Sequence, residues 1–268
     1  MPRRLWSCLF WLMLSALPLV ASSGQSAEPT GGIRPEDRRS GYFFLSRETQ
    51  AMQNDDLSNP GTLWVKEGEA LWRKAEGVAG KSCAACHQAA AVSMRGVAAR
   101  YPAFDGGAGR VINLEQRINW CRVDRQEAPP LAYESEALLA LTTYVAHQSR
   151  GMPIHVVIDG PARPFFEAGR TFFVTRQGQL NLACKQCHED HWGQKLRSEP
   201  ISQGYGNAYP AYRLEWQTIG SLEHRLRNCN IGVRAEPYPY GAQEYVNLEL
   251  YLAWRAQGLP IETPGVRR

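Results

Sequence analysis

Beyond residue 20 the chain contains no long apolar run. A membrane-spanning helix needs about 20 consecutive apolar residues, so no span is expected in the mature protein. Charge of one dominant sign is also missing. The 268 residues carry a formal net charge of +4, and losing Arg3 and Arg4 leaves about +2. That balance gives no footing for nucleic-acid binding. Methionine is scarce and uneven: the five are Met1, Met13, Met52, Met94 and Met152, so none follows residue 152. Strand-like alternation is rare, which points to a mostly α fold.

The one apolar run, Leu5 to Val20, follows Arg3 and Arg4 and precedes Ala21, Ser22, Ser23, Gly24, Ser26 and Ala27. A charged start, a short apolar middle and a small-residue exit read as a secretory signal over residues 1–27. A membrane anchor is the competing reading, but the run is short and Pro18 interrupts it. Cys8 leaves with the signal, and Cys83, Cys86, Cys121, Cys184, Cys187 and Cys229 remain. Residues 28–62 form an N-terminal extension whose first part, to about residue 40, is expected to be disordered for lack of periodicity.

The rest of the chain is a duplication. Gly68-Glu-Ala-Leu-Trp72 matches Gly169-Arg-Thr-Phe-Phe173. Tyr101-Pro-Ala-Phe104 matches Tyr209-Pro-Ala-Tyr212, and Gly151-Met-Pro-Ile154 matches Gly258-Leu-Pro-Ile261. Leu114-Glu-Gln-Arg-Ile-Asn-Trp-Cys121 matches Leu222-Glu-His-Arg-Leu-Arg-Asn-Cys229. A shared order of landmarks marks an internal repeat. The copies are expected over residues 63–157 and 158–268, joined by a Pro- and Gly-rich linker near 151–164. The second carries about seven extra residues in one loop. Helices are expected over 67–76, 165–175, 114–121 and 222–229. Amphipathic helices follow through Leu138 to Val145 and Tyr245 to Trp254.

Each copy also carries Cys-x-x-Cys-His, as Cys83-Ala-Ala-Cys86-His87 and Cys184-Lys-Gln-Cys187-His188. This is the signature of covalent haem attachment. Two thiols on one turn reach the two vinyl groups of a haem, and the adjoining His meets the iron. A redox pair would not need the His, and a zinc ribbon would need a second close Cys pair. Two haem c groups are therefore expected, with His87 and His188 as iron ligands.

The opposite ligand is the informative one. Electron carriers commonly pair His with Met, and the second copy has no Met to offer. Its candidates are Cys229, His191, His224 and Lys195; the first copy offers Cys121, Met94, Met152, His147 and His155. Only Cys121 and Cys229 occupy matching positions, which points to His/Cys ligation of both irons. A Cys121–Cys229 disulfide is the alternative. Arg117 and Arg225 each precede their cysteine by four residues, the spacing that shares a helix face. Around Cys229, Arg225, Arg227 and Arg234 outnumber Glu223. For Arg117 and Arg227 a propionate partner or a solvated face is the favoured reading.

These residues resemble the SoxA family. The resemblance rests on Ser40-Gly-Tyr42, the stretch from Asp55 to Trp64, both haem motifs, both Tyr-Pro-Ala segments and the run ending at Cys229. It implies two duplicated class I cytochrome c-like domains in a periplasmic thiosulfate-oxidising complex. It further implies L-cysteine S-thiosulfotransferase activity, in which thiosulfate is joined oxidatively to a cysteine of the carrier SoxYZ as an S-thiosulfonate. A SoxX-like monohaem cytochrome c would be the partner and electron acceptor. Cys229 would be the active-site residue, able to carry an extra sulfur as a persulfide, and Arg225 would bind substrate. The rival readings are a thiosulfate dehydrogenase forming tetrathionate and a plain dihaem electron carrier.

Overall fold

Helices dominate because the chain supplies their start signals at repeated positions. The computed structural model describes residues 1–2 and 32–268. Cys8 and the signal read at 1–27 lie, but for the first two residues, outside the described part. The helices are α1 (Arg47–Asn54), α2 (Thr62–Arg73), α3 (Cys83–His87), α4 (Ala90–Ser93), α5 (Leu114–Arg125) and α6 (Glu136–His147), then α7 (Arg163–Val174), α8 (Cys184–His188), α9 (Leu222–Gly232) and α10 (Gln243–Arg255). Asn113 and Ser221, matched in the repeat, cap α5 and α9. Asn113 Oδ1 accepts from the Gln116 N–H at 3.0 Å, and Ser221 Oγ accepts from the His224 N–H at 3.1 Å. Each cap satisfies a helix-end donor that has no partner within its helix. None of the helices among the described residues is long and apolar enough to cross a membrane.

The duplication persists in three dimensions. α2 packs across α6 in the first half as α7 packs across α10 in the second. Matching glycines sit at these crossings. A Cβ on Gly68 would lie 2.1 Å from the Ala140 carbonyl oxygen, and one on Gly169 would lie 2.0 Å from that of Asn247. Trp72 and Phe173, also matched, are buried beside the crossings. Burying a side chain of that class contributes roughly 2 kcal/mol or more.

Among the described residues seven short strands, more than the sequence suggested, complete the architecture. β1 (Ala103–Asp105) and β2 (Arg110–Ile112) form an antiparallel hairpin, as do β5 (Ala211–Arg213) and β6 (Thr218–Gly220). The registers correspond: Asp105 faces Arg110, and Arg213 faces Thr218. The longer loop of the second half holds a small hairpin of β3 (Lys195–Leu196) and β4 (Glu199–Pro200). β7 (Gly265–Arg267) adds to β5 in parallel.

Two expectations are corrected. The stretch 151–164 is no loose linker. Ile154, Val156 and Ile158 are buried in the core, and the two Gly-x-Pro-Ile segments pair with one another. Gly151 N–H donates to the Ile261 carbonyl at 2.8 Å, and Ile261 N–H to that of Met152 at 2.9 Å. Nor are residues 32–40 unstructured. Ile33 is buried, and Gln203 takes the Arg39 N–H at 2.7 Å while donating to the Asp37 carbonyl at 2.9 Å. Composition alone does not register partners supplied by the distant half.

Between the halves lies a cavity of about 100 Å³, lined by Tyr101, Tyr209, Asn113, Asn207, Thr142 and Glu249 among others. Carboxyl groups gather around it. Glu223 accepts from Asn113 Nδ2 at 3.1 Å and from the Gly241 N–H at 2.6 Å. Loss of hydration raises Glu223 to about 8 and Glu115 to about 7, and holds Glu249 well above the usual carboxylate range. The folded state therefore keeps protons that the unfolded chain releases near pH 4.5. The contribution of these carboxyls to stability is fullest in acid and falls as pH rises towards 8. Urea midpoints of the haem-loaded protein should fall between pH 5 and pH 8 by the equivalent of roughly 2 kcal/mol. Glu223→Gln should flatten the profile, and a flat wild-type curve would contradict the assignment.

Candidate functional site

Each haem motif forms one short helical turn with a cap. Ser82 Oγ accepts from the Ala85 N–H at 3.0 Å to start α3. Before α8 the roles reverse: Gln186 Oε1 accepts from the Ala183 N–H at 2.9 Å. The turn puts the paired thiols on one side and the histidine at its end.

A second contact carries the third cysteine to each motif. Gly77 and Gly178 adopt φ of 69° and 65°, a left-handed conformation that glycine enters without steric cost. Their backbones lie against the ends of α5 and α9. A Cβ on Gly77 would meet the Gln126 carbonyl oxygen at 2.0 Å, and one on Gly178 that of Val233 at 2.2 Å. Matching hydrogen bonds close the joint: Ala79 N–H to Gln126 at 3.2 Å, and Leu180 N–H to Val233 at 3.3 Å. Sequence reading missed these glycines, though each sits four residues beyond the end of its helix, α2 or α7.

The six cysteines 83, 86, 121, 184, 187 and 229 are all free. They group by half. Cys121 lies close enough to Cys83 to help raise its pKa, after burial, and Cys229 acts likewise on Cys184 and Cys187. Cys184 reaches about 12, chiefly through burial. The Cys121–Cys229 disulfide is therefore absent, and each third cysteine stands by its own motif.

The residues fit a haem. His188 Nδ1–H donates to the Ser202 carbonyl at 2.8 Å, which leaves Nε2 as the free donor atom towards a metal. Burial lowers His188 to about 4, so the ring stays neutral. Gly204 lets the chain pass beside it, for a Cβ there would lie 2.7 Å from the imidazole. Trp72 lies 5.8 Å from the His87 ring and donates from Nε1 to the Gln88 carbonyl at 3.0 Å. Of the competing ligand candidates, Met94 stays near the first motif, packed against the same cluster as Cys83, and the others are engaged elsewhere. His224 stacks on Trp216 at 4.1 Å and pairs with Glu134 at 2.9 Å. His147 meets the Thr263 carbonyl, His155 meets Gln257, and His191 donates to the Gln186 carbonyl. Lys195 is exposed on β3 and Met152 packs against Gly96.

The arginines separate the two centres. Arg225 is held beside Cys229, whose sulfur, as thiolate, pushes the guanidinium above its usual range against the opposing effect of burial. Among the described residues no carboxylate forms an ion pair with it. Arg227 instead lies over the Tyr240 ring at 4.5 Å and donates to the Tyr238 carbonyl. Arg234 is exposed at the end of α9. Arg117, expected at a propionate or in solvent, is bound by protein: Nε donates to Tyr101 Oη at 3.1 Å, and the guanidinium pairs with Asp105.

Comparison with known proteins agrees with this geometry. A family model for the SoxA/TsdA cytochrome c domain matches residues 67–154 and 168–261. The L-cysteine S-thiosulfotransferase subunit SoxA of Pseudaminobacter salicylatoxidans is 41% identical over 259 residues, 96% of this chain and 89% of that protein. The subunit of the same name from Rhodovulum sulfidophilum is 42% identical over 87% of this chain and 82% of its own length. In the crystal structure of SoxXA from P. pantotrophus, one chain superposes with a TM-score of 0.83 at 37% identity, covering 86% of this chain and 87% of that one.

Proposed function

The chain belongs to the SoxA family of L-cysteine S-thiosulfotransferase subunits, and from that footing we propose that Cys229 and Arg225 form its working centre. The observation that carries the proposal is a half-buried arginine that, among the described residues, forms no ion pair with a carboxylate, beside a free thiol that is itself next to Cys184 and Cys187. Haem c would be attached at Cys83 and Cys86 and at Cys184 and Cys187. His87 and Cys121 would hold the iron in the first half, and His188 and Cys229 in the second. When bound, the haem would supply a one-electron acceptor.

The protein's own groups do the rest. Arg225 offers a forked donor to the sulfonate oxygens of thiosulfate and orients its outer sulfur towards Cys229. Burial strengthens that attraction by excluding water. The Cys229 thiolate and the outer sulfur lose two electrons in all and form a disulfide-type bond. A carrier thiolate then attacks that outer sulfur and leaves with the thiosulfate group, and Cys229 thiolate is regenerated. The two electrons pass one at a time to a partner c-type cytochrome. A SoxX-like partner is supported by the likeness to SoxXA, a SoxYZ carrier by the name of the relatives, and a periplasmic location by the signal read at 1–27.

The test is a conjugation assay with haem-loaded protein, its cytochrome partner, thiosulfate, oxidised cytochrome c and the cysteine-bearing carrier. Arg225→Ala should slow formation of the carrier S-thiosulfonate about 100-fold while haem content stays unchanged. Full activity would remove Arg225 from the substrate site. Tetrathionate in place of a carrier adduct would favour the dehydrogenase reading, and neither product the plain electron carrier.

A further inference from the structure

The duplication gives each half an arginine four residues before its third cysteine, yet the two arginines meet opposite surroundings. In the first half, Asp105 at the end of β1 pairs with Arg117. Tyr101 Oη accepts from Arg117 Nε at 3.1 Å, and Trp120 stacks on the same guanidinium at 5.2 Å. Two of its three nitrogens and its charge are taken up. The matching strand position in the second half holds Arg213, in the same hairpin register. Arg213 binds the nearby acceptors directly: Glu215 at 2.9 and 2.8 Å, and Tyr209 Oη, the counterpart of Tyr101, at 3.4 Å; both act on Arg225 only through the field, not by contact. Arg225 is left without an ion-pair partner among the described residues.

We propose that Asp105 closes an anion site at Arg117 and Cys121, and that the exchange of Asp105 for Arg213 between the halves decides which duplicated site admits thiosulfate. The inference rests on the reading of Arg225 as the substrate-binding group. A carboxylate already seated on a guanidinium occupies the donors that an incoming oxyanion needs, and it repels the anion as well. Solvent reaches the closed site: the Arg117 side chain is 30% exposed and that of Asp105 is 17% exposed. The inequivalence therefore comes from charge rather than from access. Asp105 also fastens its own turn, with Oδ1 accepting from the Ala108 N–H at 2.7 Å. Asn keeps that acceptor and removes only the charge.

The experiment uses the haem-loaded protein with its cytochrome partner in the ferric state, and sulfate as an unreactive dianion titrated by calorimetry. Comparing wild type with Arg225→Ala tests the second-half reading alone. Comparing Arg225→Ala with Arg225→Ala/Asp105→Asn tests the proposal alone. The double variant should bind sulfate at least tenfold more tightly than Arg225→Ala and perturb the absorption of the first haem. Adding Arg117→Ala should abolish the gain, and Asp105→Glu in place of Asp105→Asn should give none. Asp105→Ser, which retains an acceptor for the turn, serves if the Asn variant loses haem. Binding no tighter than in Arg225→Ala, with haem content and melting temperature retained, overturns the proposal. So does a gain that survives loss of Arg117.

Discussion

Cys229→Ala should reduce carrier conjugation by about 10³-fold or more, because it removes the atom that forms the bond rather than one that orients it. Haem should remain attached, since the thioether positions are Cys184 and Cys187. The absorption of the second haem should change with the loss of its sulfur ligand. Mass spectrometry of the carrier measures the first effect, and a denatured haem spectrum checks attachment. Cys121→Ala provides the contrast: Arg117 is already neutralised by Asp105, so conjugation should stay within a few-fold of wild type. An adduct formed at near-normal rate by Cys229→Ala would end the covalent role.

The largest expected effect on stability lies far from the chemistry. Gly169→Ala places a Cβ 2.0 Å from the Asn247 carbonyl oxygen and 2.5 Å from its carbon. The obstacle is backbone, so no side chain can turn aside, and α7 and α10 must move apart. Overpacking of this kind costs about 3 kcal/mol, against less than about 1 kcal/mol regained from the better helix propensity of alanine. For a protein of this size the melting temperature of the haem-loaded form should drop by roughly 5–10 °C. Gly68→Ala should behave alike, through the Ala140 carbonyl. A shift of less than about 2 °C, measured by calorimetry, would show that the crossings yield easily.

Features encoded by spacing were legible in the sequence. The repeat, the two Cys-x-x-Cys-His turns, the starts of the helices that carry Cys121 and Cys229 and the mostly helical fold depend on local residue patterns, and the structure has them, although those two helices run on to Arg125 and Gly232. Helix starts were less exact: α2 begins at Thr62 rather than at residue 67. What stayed hidden depends on distant partners. Three-residue strands are too short to show a period. The alternation of Ile154, Val156 and Ile158 was masked by the prolines and glycines around it. The exchange of Asp105 for Arg213 is visible once the copies are aligned, but its meaning needs the geometry of Arg117 and Glu215. The joints at Gly77 and Gly178 likewise acquire a role only when the ends of α5 and α9 are seen against them.

The two ends of the described fold are bound to each other. Gln53 of α1 accepts from the Val266 N–H at 3.0 Å and from the Arg267 guanidinium, and Asn59 donates to the Pro264 carbonyl at 2.9 Å. Arg267 in turn holds Glu262 at 2.7 Å, and β7 lies along β5. A ribosome-bound chain cannot make this seam until residues 264–267 have emerged. Shortening the C-terminus by four residues would open it from both sides at once, and a fusion partner is better tolerated after the exposed Arg268 than in place of the buried strand before it.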